Sequence, residues 1–189
     1  LMQNVLADLA LESEAALAYT MRIARALDNQ DKEHERLLAR LATPVGKYWI
    51  CKRTPNHAYE AMECIGGSGV MEDCIMPRLF RESPVNAIWE GSGNVQCLDM
   101  LRAITKSPAS VDALHNELAG ARGAHPAYDA HCMALEKTLQ NDAGNPVHAR
   151  RLADAIGRAL QARILLTGDA PWIGEAFCAA RLSSGRSPR

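Results

Sequence analysis

The sequence is poor in aromatic residues, at 5% of 189, and it lacks any paired-cysteine motif, any long apolar run and any excess of one charge. Each absence excludes something. Few aromatics beside many Ala and Leu is the bias of helices rather than of a sandwich or barrel, so an all-α fold is expected. No apolar stretch approaches the roughly 20 residues that cross a bilayer, and no basic start leads into an apolar segment with a small-residue cleavage site. The expectation is a soluble, cytoplasmic protein without a membrane partner. Twenty-one Lys and Arg face twenty-two Asp and Glu, so the chain as a whole has no electrostatic pull toward nucleic acid or an anionic surface. Cys51, Cys64, Cys74, Cys97, Cys132 and Cys178 include no C-x-x-C, and the six histidines form no H-E-x-x-H. The thiols are therefore expected to be buried and free, and no metal is assigned.

What is present is 48% hydrophobic and 23% charged residues. That is enough apolar material for one or two globular domains, and too much for a disordered chain or a disulfide scaffold. The chain opens at Leu1 with no initiator Met and no cap, and residues 1–27 already read as a helix in full stride, as expected of a piece of a longer protein. Val5, Leu6, Leu9, Leu17, Met21 and Ala24 recur at three- and four-residue steps and mark its apolar stripe. Asp28-Asn29-Gln30-Asp31 predicts a turn and a new N-cap. A second helix over about 32–62 should bury Leu37, Leu38, Leu41, Val45, Trp49 and Ile50, with a kink or break at Pro44 and Pro55.

The glycine-rich turn Gly66-Gly67-Ser68-Gly69 ends that helix and lets backbone approach something closely. Pro77 opens a helix of one or two turns, residues 83–89 read as extended or irregular, and a second glycine-rich turn, Glu90-Gly91-Ser92-Gly93-Asn94, precedes a helix over 95–104. Lys106-Ser107-Pro108 is the strongest boundary and divides the chain into residues 1–105 and 106–189. Beyond it, helices are expected at about 110–122, 127–140, 146–166 and 170–180, with a frayed tail over 183–189.

Three pieces carry more than packing: Glu63-Cys64-Ile65-Gly66-Gly67-Ser68-Gly69, then Pro77-Arg78-Leu79-Phe80-Arg81-Glu82, then Ile88-Trp89-Glu90-Gly91-Ser92-Gly93-Asn94. In this order and spacing they resemble the C-terminal helical domain of the flavin-dependent acyl-CoA dehydrogenases, whose pattern is Q-x-x-G-G-x-G, R-x-x-R-D and I-x-E-G-T. The likeness runs over about residues 3–104. Lys47-Tyr48-Trp49-Ile50-Cys51-Lys52-Arg53, Ala61-Met62-Glu63-Cys64-Ile65-Gly66-Gly67 and the run 83–94 further resemble the AidB-type subgroup, linked to the bacterial adaptive response to alkylation damage. The resemblance implies a four-helix bundle over 1–105, followed by that subgroup's helical extension over 106–189.

It also implies a chemistry. Removing an α-proton from an acyl thioester while FAD takes the β-hydride needs a carboxylate in an apolar pocket, where burial raises its basicity. By resemblance Glu90 is that base, with its own amide polarising the thioester carbonyl. Trp89 is then an apolar wall beside the substrate, and Gly91 lets the chain pass close to it. The bland alternative for Glu90 is a helix cap. Gly66, Gly67 and Gly69 resemble the segment that lies against FAD across a subunit interface, and Ser92 stands where a Thr often touches the flavin. Glu63 and Asn94 depart from the family's usual Gln and Glu. The implied partners are acyl-CoA, an electron acceptor and further copies of the chain in a dimer or tetramer. The family's other domains complete both ligand sites, so the chain alone should be inactive.

A second reading is a DNA-associated flavoprotein. Arg150, Arg151, Arg158 and Arg163 recur at helical spacing, with Arg151 and Arg158 on roughly one face, as a contact with double-stranded DNA would need. Against it, residues 106–189 carry only ten Lys and Arg for eight Asp and Glu. For Arg78 and Arg81, ties to neighbouring carboxylates are the expectation, and for Tyr48 and Trp49 the core.

Overall fold

The computed structural model describes residues 1–142 and 144–183, and the expected frayed tail lies outside them from 184 onward. Among the described residues there are eight α-helices and no strand: α1 Met2–Asp28, α2 Glu33–Ile65, α3 Met76–Glu82, α4 Gly93–Lys106, α5 Ala109–Ala119, α6 Pro126–Asp142, α7 Ala149–Leu166 and α8 Pro171–Arg181. The expected all-α class is the class observed. Short 3-10 turns at Gly66–Val70 and Ser83–Ala87 flank α3, so the second of these is wound rather than extended.

The long helix α2 is the axis of the molecule, packed by α1, α4, α5 and α7. It runs unbroken through Pro44 and Pro55, although each proline removes an amide donor and crowds the turn before it. The packing offsets that loss: Leu38, Leu41, Ala42 and Val45 are buried around Pro44, and the Tyr19 hydroxyl donates to the Ala42 carbonyl at 2.8 Å. The cap also differs from expectation. Lys32 occupies the N-cap position without a side-chain bond, and Asn29 instead donates to the Arg25 carbonyl and accepts from Lys32.

In α1 the buried side is Ala15, Tyr19 and Ala26, while Leu6, Leu17 and Met21 of the expected stripe are exposed. The helix has two apolar faces, and within this chain only one of them meets α2.

One hydrophobic core spans both sides of the 105/106 boundary, from Leu38, Trp49 and Met100 to Leu114, Tyr128, Ile156 and Phe177. Tyr48 and Trp49 belong to it, as expected. The six cysteines are free thiols, three of them buried, and burial pushes the Cys97 thiol up to about 11. The Trp49 indole donates to the buried Gln161 side-chain oxygen at 2.8 Å, across 112 residues of sequence. Gln161 is 1% exposed, and its amide nitrogen already has no partner. Trp49→Phe should therefore cost about 1–3 kcal/mol by leaving a buried amide oxygen unpaired, readable as a lower urea midpoint with an unchanged slope.

Candidate active site at the Glu90 turn

Residues 83–92 cross from the end of α3 to the start of α4 on the flank of α2. The amides of Ile88 and Trp89 both donate to the Val85 carbonyl, which closes the 3-10 turn. The backbone then reverses hand. Glu90 has φ 52°, a left-handed value it alone shows among described non-glycine residues, and Gly91 follows with φ 107°. For a side chain with a Cβ this conformation costs about 1–2 kcal/mol, and such strain persists only where the surroundings hold it.

Two side chains hold it. From α2, the Lys47 ammonium donates to the carbonyls of Asn86 and Trp89, the latter at 3.0 Å. From α4, the Gln96 amide donates to the Glu90 carbonyl at 3.0 Å and to the Gly91 carbonyl at 3.4 Å. A Cβ on Gly91 would lie 2.4 Å from that same amide nitrogen, so the second clasp works only with glycine there. Ser92, not Glu90, is the N-cap residue of α4, and its hydroxyl makes no capping bond. The capping alternative for Glu90 is thereby removed.

The Glu90 side chain is exposed and sits beside exposed Ile88 and Trp89, at 65% and 59%. The apolar pocket expected around it is not formed among the described residues, where all three side chains are exposed. Exposed apolar side chains continue past the turn to Val85, Val95 and Leu98, and around the first glycine turn to Ile65, Val70 and Met71.

At that first turn Gly66 takes φ 75°, and a Cβ on Gly66 or Gly67 would meet nothing within 4 Å. Both are exposed, so they present bare backbone that a flat or phosphate-bearing group can approach closely, as FAD would require. Gly69 differs. It is buried, and a Cβ there would fall 2.5 Å from the Met62 carbonyl oxygen, so packing against α2 explains it.

The four arginines of α7 do not form one basic face. Arg150 and Arg151 are exposed, and Arg150 donates to the Asn94 side chain at 2.9 Å. Arg158 turns inward, donating to the carbonyls of Asp154 and Arg181 and lying 6.0 Å from the Trp49 ring. Arg163 is committed to Glu117, at 3.1 Å from its carboxylate and 3.0 Å from its carbonyl. Arg151 and Arg158, seven residues apart, lie within about 20° of each other around the helix, so it is burial that separates them: Arg151 stays exposed while Arg158 is half-buried against Trp49 and Arg181. Arg81 pairs with Glu72 at 2.8 Å on the surface, as expected.

A cleft of about 860 Å³ opens between α1, α2, α7 and α8 and contains neither Glu90 nor the glycine turns. Its Glu12 and Asp8 carboxylates are already matched by arginines. Glu12 pairs with Arg53 at 2.6 Å and Arg181 at 3.5 Å, Asp8 takes Arg181 at 2.7 Å, and Arg53 lies 4.4 Å over the Trp49 ring. Burial raises the Asp154 carboxyl there, against a hydrogen bond with Tyr48 that lowers it.

Among the described residues no cluster of His, Cys, Asp and Glu is arranged to hold a metal, and no helix is long and apolar enough to cross a membrane. Lys47 and Gln96 were invisible to sequence reasoning about the site. Lys47 begins the Lys47-to-Arg53 motif, yet nothing local in the sequence connects it with a turn about forty residues away.

Comparison with known proteins identifies the family. The family description "Acyl-CoA dehydrogenase, C-terminal domain" matches residues 1–105. AidB of Escherichia coli (strain K12), an acyl-CoA dehydrogenase by name, is 36% identical over 192 residues, covering 97% of this chain and 34% of AidB. The solved apo form of Bd2924 is 30% identical with a TM-score of 0.75, over 86% of this chain and 32% of that one. Caenorhabditis elegans ACDH-11, solved in complex with C11-CoA, has a TM-score of 0.79 at 23% identity, over 95% of this chain and 36% of its own, a likeness of fold. The chain spans about a third of the length of the curated relative it matches along nearly all its length.

Proposed function

Because this chain belongs to the acyl-CoA dehydrogenase family, we propose that the full-length protein oxidises an acyl-CoA thioester between Cα and Cβ, with Glu90 as the base that removes the α-proton. The observation that carries this is the Glu90 turn itself. A carboxylate on a left-handed backbone, clasped from α2 and α4 and flanked by Ile88 and Trp89, is a costly arrangement, and all three side chains stay exposed rather than joining the core. Trp89 supplies an apolar wall, and Gly91 permits close approach of a substrate. The amide of Glu90, which donates to no backbone carbonyl among the described residues, is a donor for the thioester carbonyl as enolate charge develops. An apolar cover laid over Ile88 and Trp89 by the rest of the protein would exclude water and strengthen a carboxylate as base.

Gly66, Gly67 and Ser92 are the residues we assign to holding FAD, the first two through bare backbone and the third through its uncommitted hydroxyl. Bound FAD would supply the hydride acceptor. Gly69 keeps that turn seated on α2 rather than touching the cofactor. We assign residues 1–105 to the dehydrogenase domain and 106–189 to the AidB-type extension. The outer apolar face of α1, with Leu6, Leu17 and Met21 exposed, suits burial against the rest of the protein or another copy.

The test is the absorbance of the purified full-length protein, followed anaerobically as acyl-CoA thioesters of increasing chain length are added. Bleaching of bound flavin is the expected result. A bound flavin that no thioester reduces would overturn this function in favour of the DNA-associated reading.

A further inference from the structure

We propose that Lys47 is a positioning residue for Glu90: its ammonium, clasping the Asn86 and Trp89 carbonyls, holds the left-handed turn in the register that aims the carboxylate at substrate. The proposal rests on the reading of Glu90 as base and adds a residue to it. Lys47 is half-buried on α2, and among the described residues its hydrogen bonds go to those two carbonyls and it makes no ion pair with a carboxylate. A cation drawn out of bulk water is ordinarily matched with an anion. Here it is spent instead on the segment immediately before Glu90. A lysine suits the task, because its ammonium carries three donors on a flexible stem and can serve two carbonyls that point in different directions.

The geometry also makes the two clasps complementary. Lys47 fixes the chain on the N-terminal side of Glu90, through the Trp89 carbonyl, while Gln96 fixes it at Glu90 and Gly91. The residue between the clasps is the one with φ 52°. With Lys47 removed, the Asn86 and Trp89 carbonyls turn to water, and residues 86–90 are free to relax toward right-handed conformations. The carboxylate then swings away, and the Glu90 amide with it, while Gly66, Gly67 and Ser92, outside the released segment, stay in place. Small displacements of a reacting group of this kind reduce rates on the order of 10²-fold.

The experiment compares Lys47→Met, Lys47→Arg and Glu90→Gln in the full-length flavin-loaded protein by rapid anaerobic mixing with a thioester. Hydrogen exchange of residues 86–91 is measured on the same samples. Lys47→Met should slow flavin reduction at saturating thioester on the order of 10²-fold, leave flavin loading intact, and speed exchange within 86–91 alone. Lys47→Arg keeps donors for both carbonyls and should recover most of the rate. Wild-type reduction by Lys47→Met, a rise only in the half-saturating concentration, or equal losses in Met and Arg variants would each overturn the proposal. If Lys47→Met does not load flavin, Lys47→Gln is judged by the same criteria. If Glu90→Gln reduces flavin normally, it is the base reading that falls, and the exchange data still report whether Lys47 holds the turn.

Discussion

Glu90→Gln in the full-length protein should reduce the rate of flavin bleaching by an acyl thioester by about 10²–10⁴-fold, the range a positioned base contributes, while flavin binding stays intact. The substitution is nearly isosteric. It removes the proton acceptor and leaves both clasps, since Lys47 and Gln96 hold backbone carbonyls and not the Glu90 carboxylate. The left-handed backbone is tolerated no worse by Gln than by Glu. Loss of rate without loss of bound flavin, and with thioester affinity retained, is therefore the specific signature of a missing base. Loss of flavin would instead point to a structural role for the side chain, and an unchanged rate would remove Glu90 from the chemistry. Glu90→Asp is a useful companion, because it keeps the acid and withdraws it by one methylene; an intermediate rate is expected.

The same turn shows what a sequence can carry. Glu90, Gly91 and Ser92 are legible as one unit through the resemblance of the run 88–94 to a family motif, whereas the left-handed backbone at Glu90 leaves no sign in the sequence. The helices were legible from their apolar period, and Trp49 as core from its place in that period. The period could not say which of two apolar faces of α1 meets a neighbour, since Leu17 and Tyr19 fit a stripe equally well and only Tyr19 finds a buried acceptor, the Ala42 carbonyl. Nor could it say how the arginines of α7 are used. Arg163 looked like a surface charge beside Arg158, yet its partner Glu117 lies 46 residues away on α5. Pro44 announced a break that never forms, because a helix buried on several sides is held by its neighbours more strongly than one missing amide loosens it. Long-range partners leave no local trace, and both the clasp on the Glu90 turn and the ion network beneath α5 are of that kind.

That network sets the second large expectation: Glu117→Ala should destabilise the chain by about 3–5 kcal/mol, the cost of breaking a buried ion pair from one side. Against a typical total of about 5–15 kcal/mol this is a large share. Glu117 is 4% exposed and gathers three bases. Arg22 of α1 meets it at 2.9 Å through both Nε and Nη2, Arg163 of α7 at 3.1 Å, and His34 of α2 at 3.5 Å. Glu35 of α2 holds the far side of Arg22 at 2.7 Å. One carboxylate thus ties α1, α2, α5 and α7, across the boundary between residues 1–105 and 106–189. Alanine leaves Arg22 with only Glu35 and Arg163 with only a carbonyl, each largely withdrawn from water. By contrast Glu72→Ala, which removes the surface partner of Arg81, should leave the unfolding midpoint unmoved. The pH dependence follows with a definite sign. Burial raises the Glu117 carboxyl, but the Arg22 hydrogen bond and the field of Arg163 outweigh it and hold it below its ordinary 4.5. For Glu12 the Arg53 bond and Arg181 outweigh burial in the same way. A carboxylate lowered on folding contributes fully above its unfolded value and is lost as pH falls through the folded one. His131 adds a milder loss that begins earlier: burial, against a hydrogen bond to the Ala155 carbonyl, holds it below 6.5, so the unfolded chain takes up that proton first. Denaturation midpoints should then decline gently below pH 6.5 and steeply below 4.5. In Glu117→Ala the steep limb should flatten while the gentle one stays; an unaltered steep limb would mean that Glu117 does not carry the acid sensitivity.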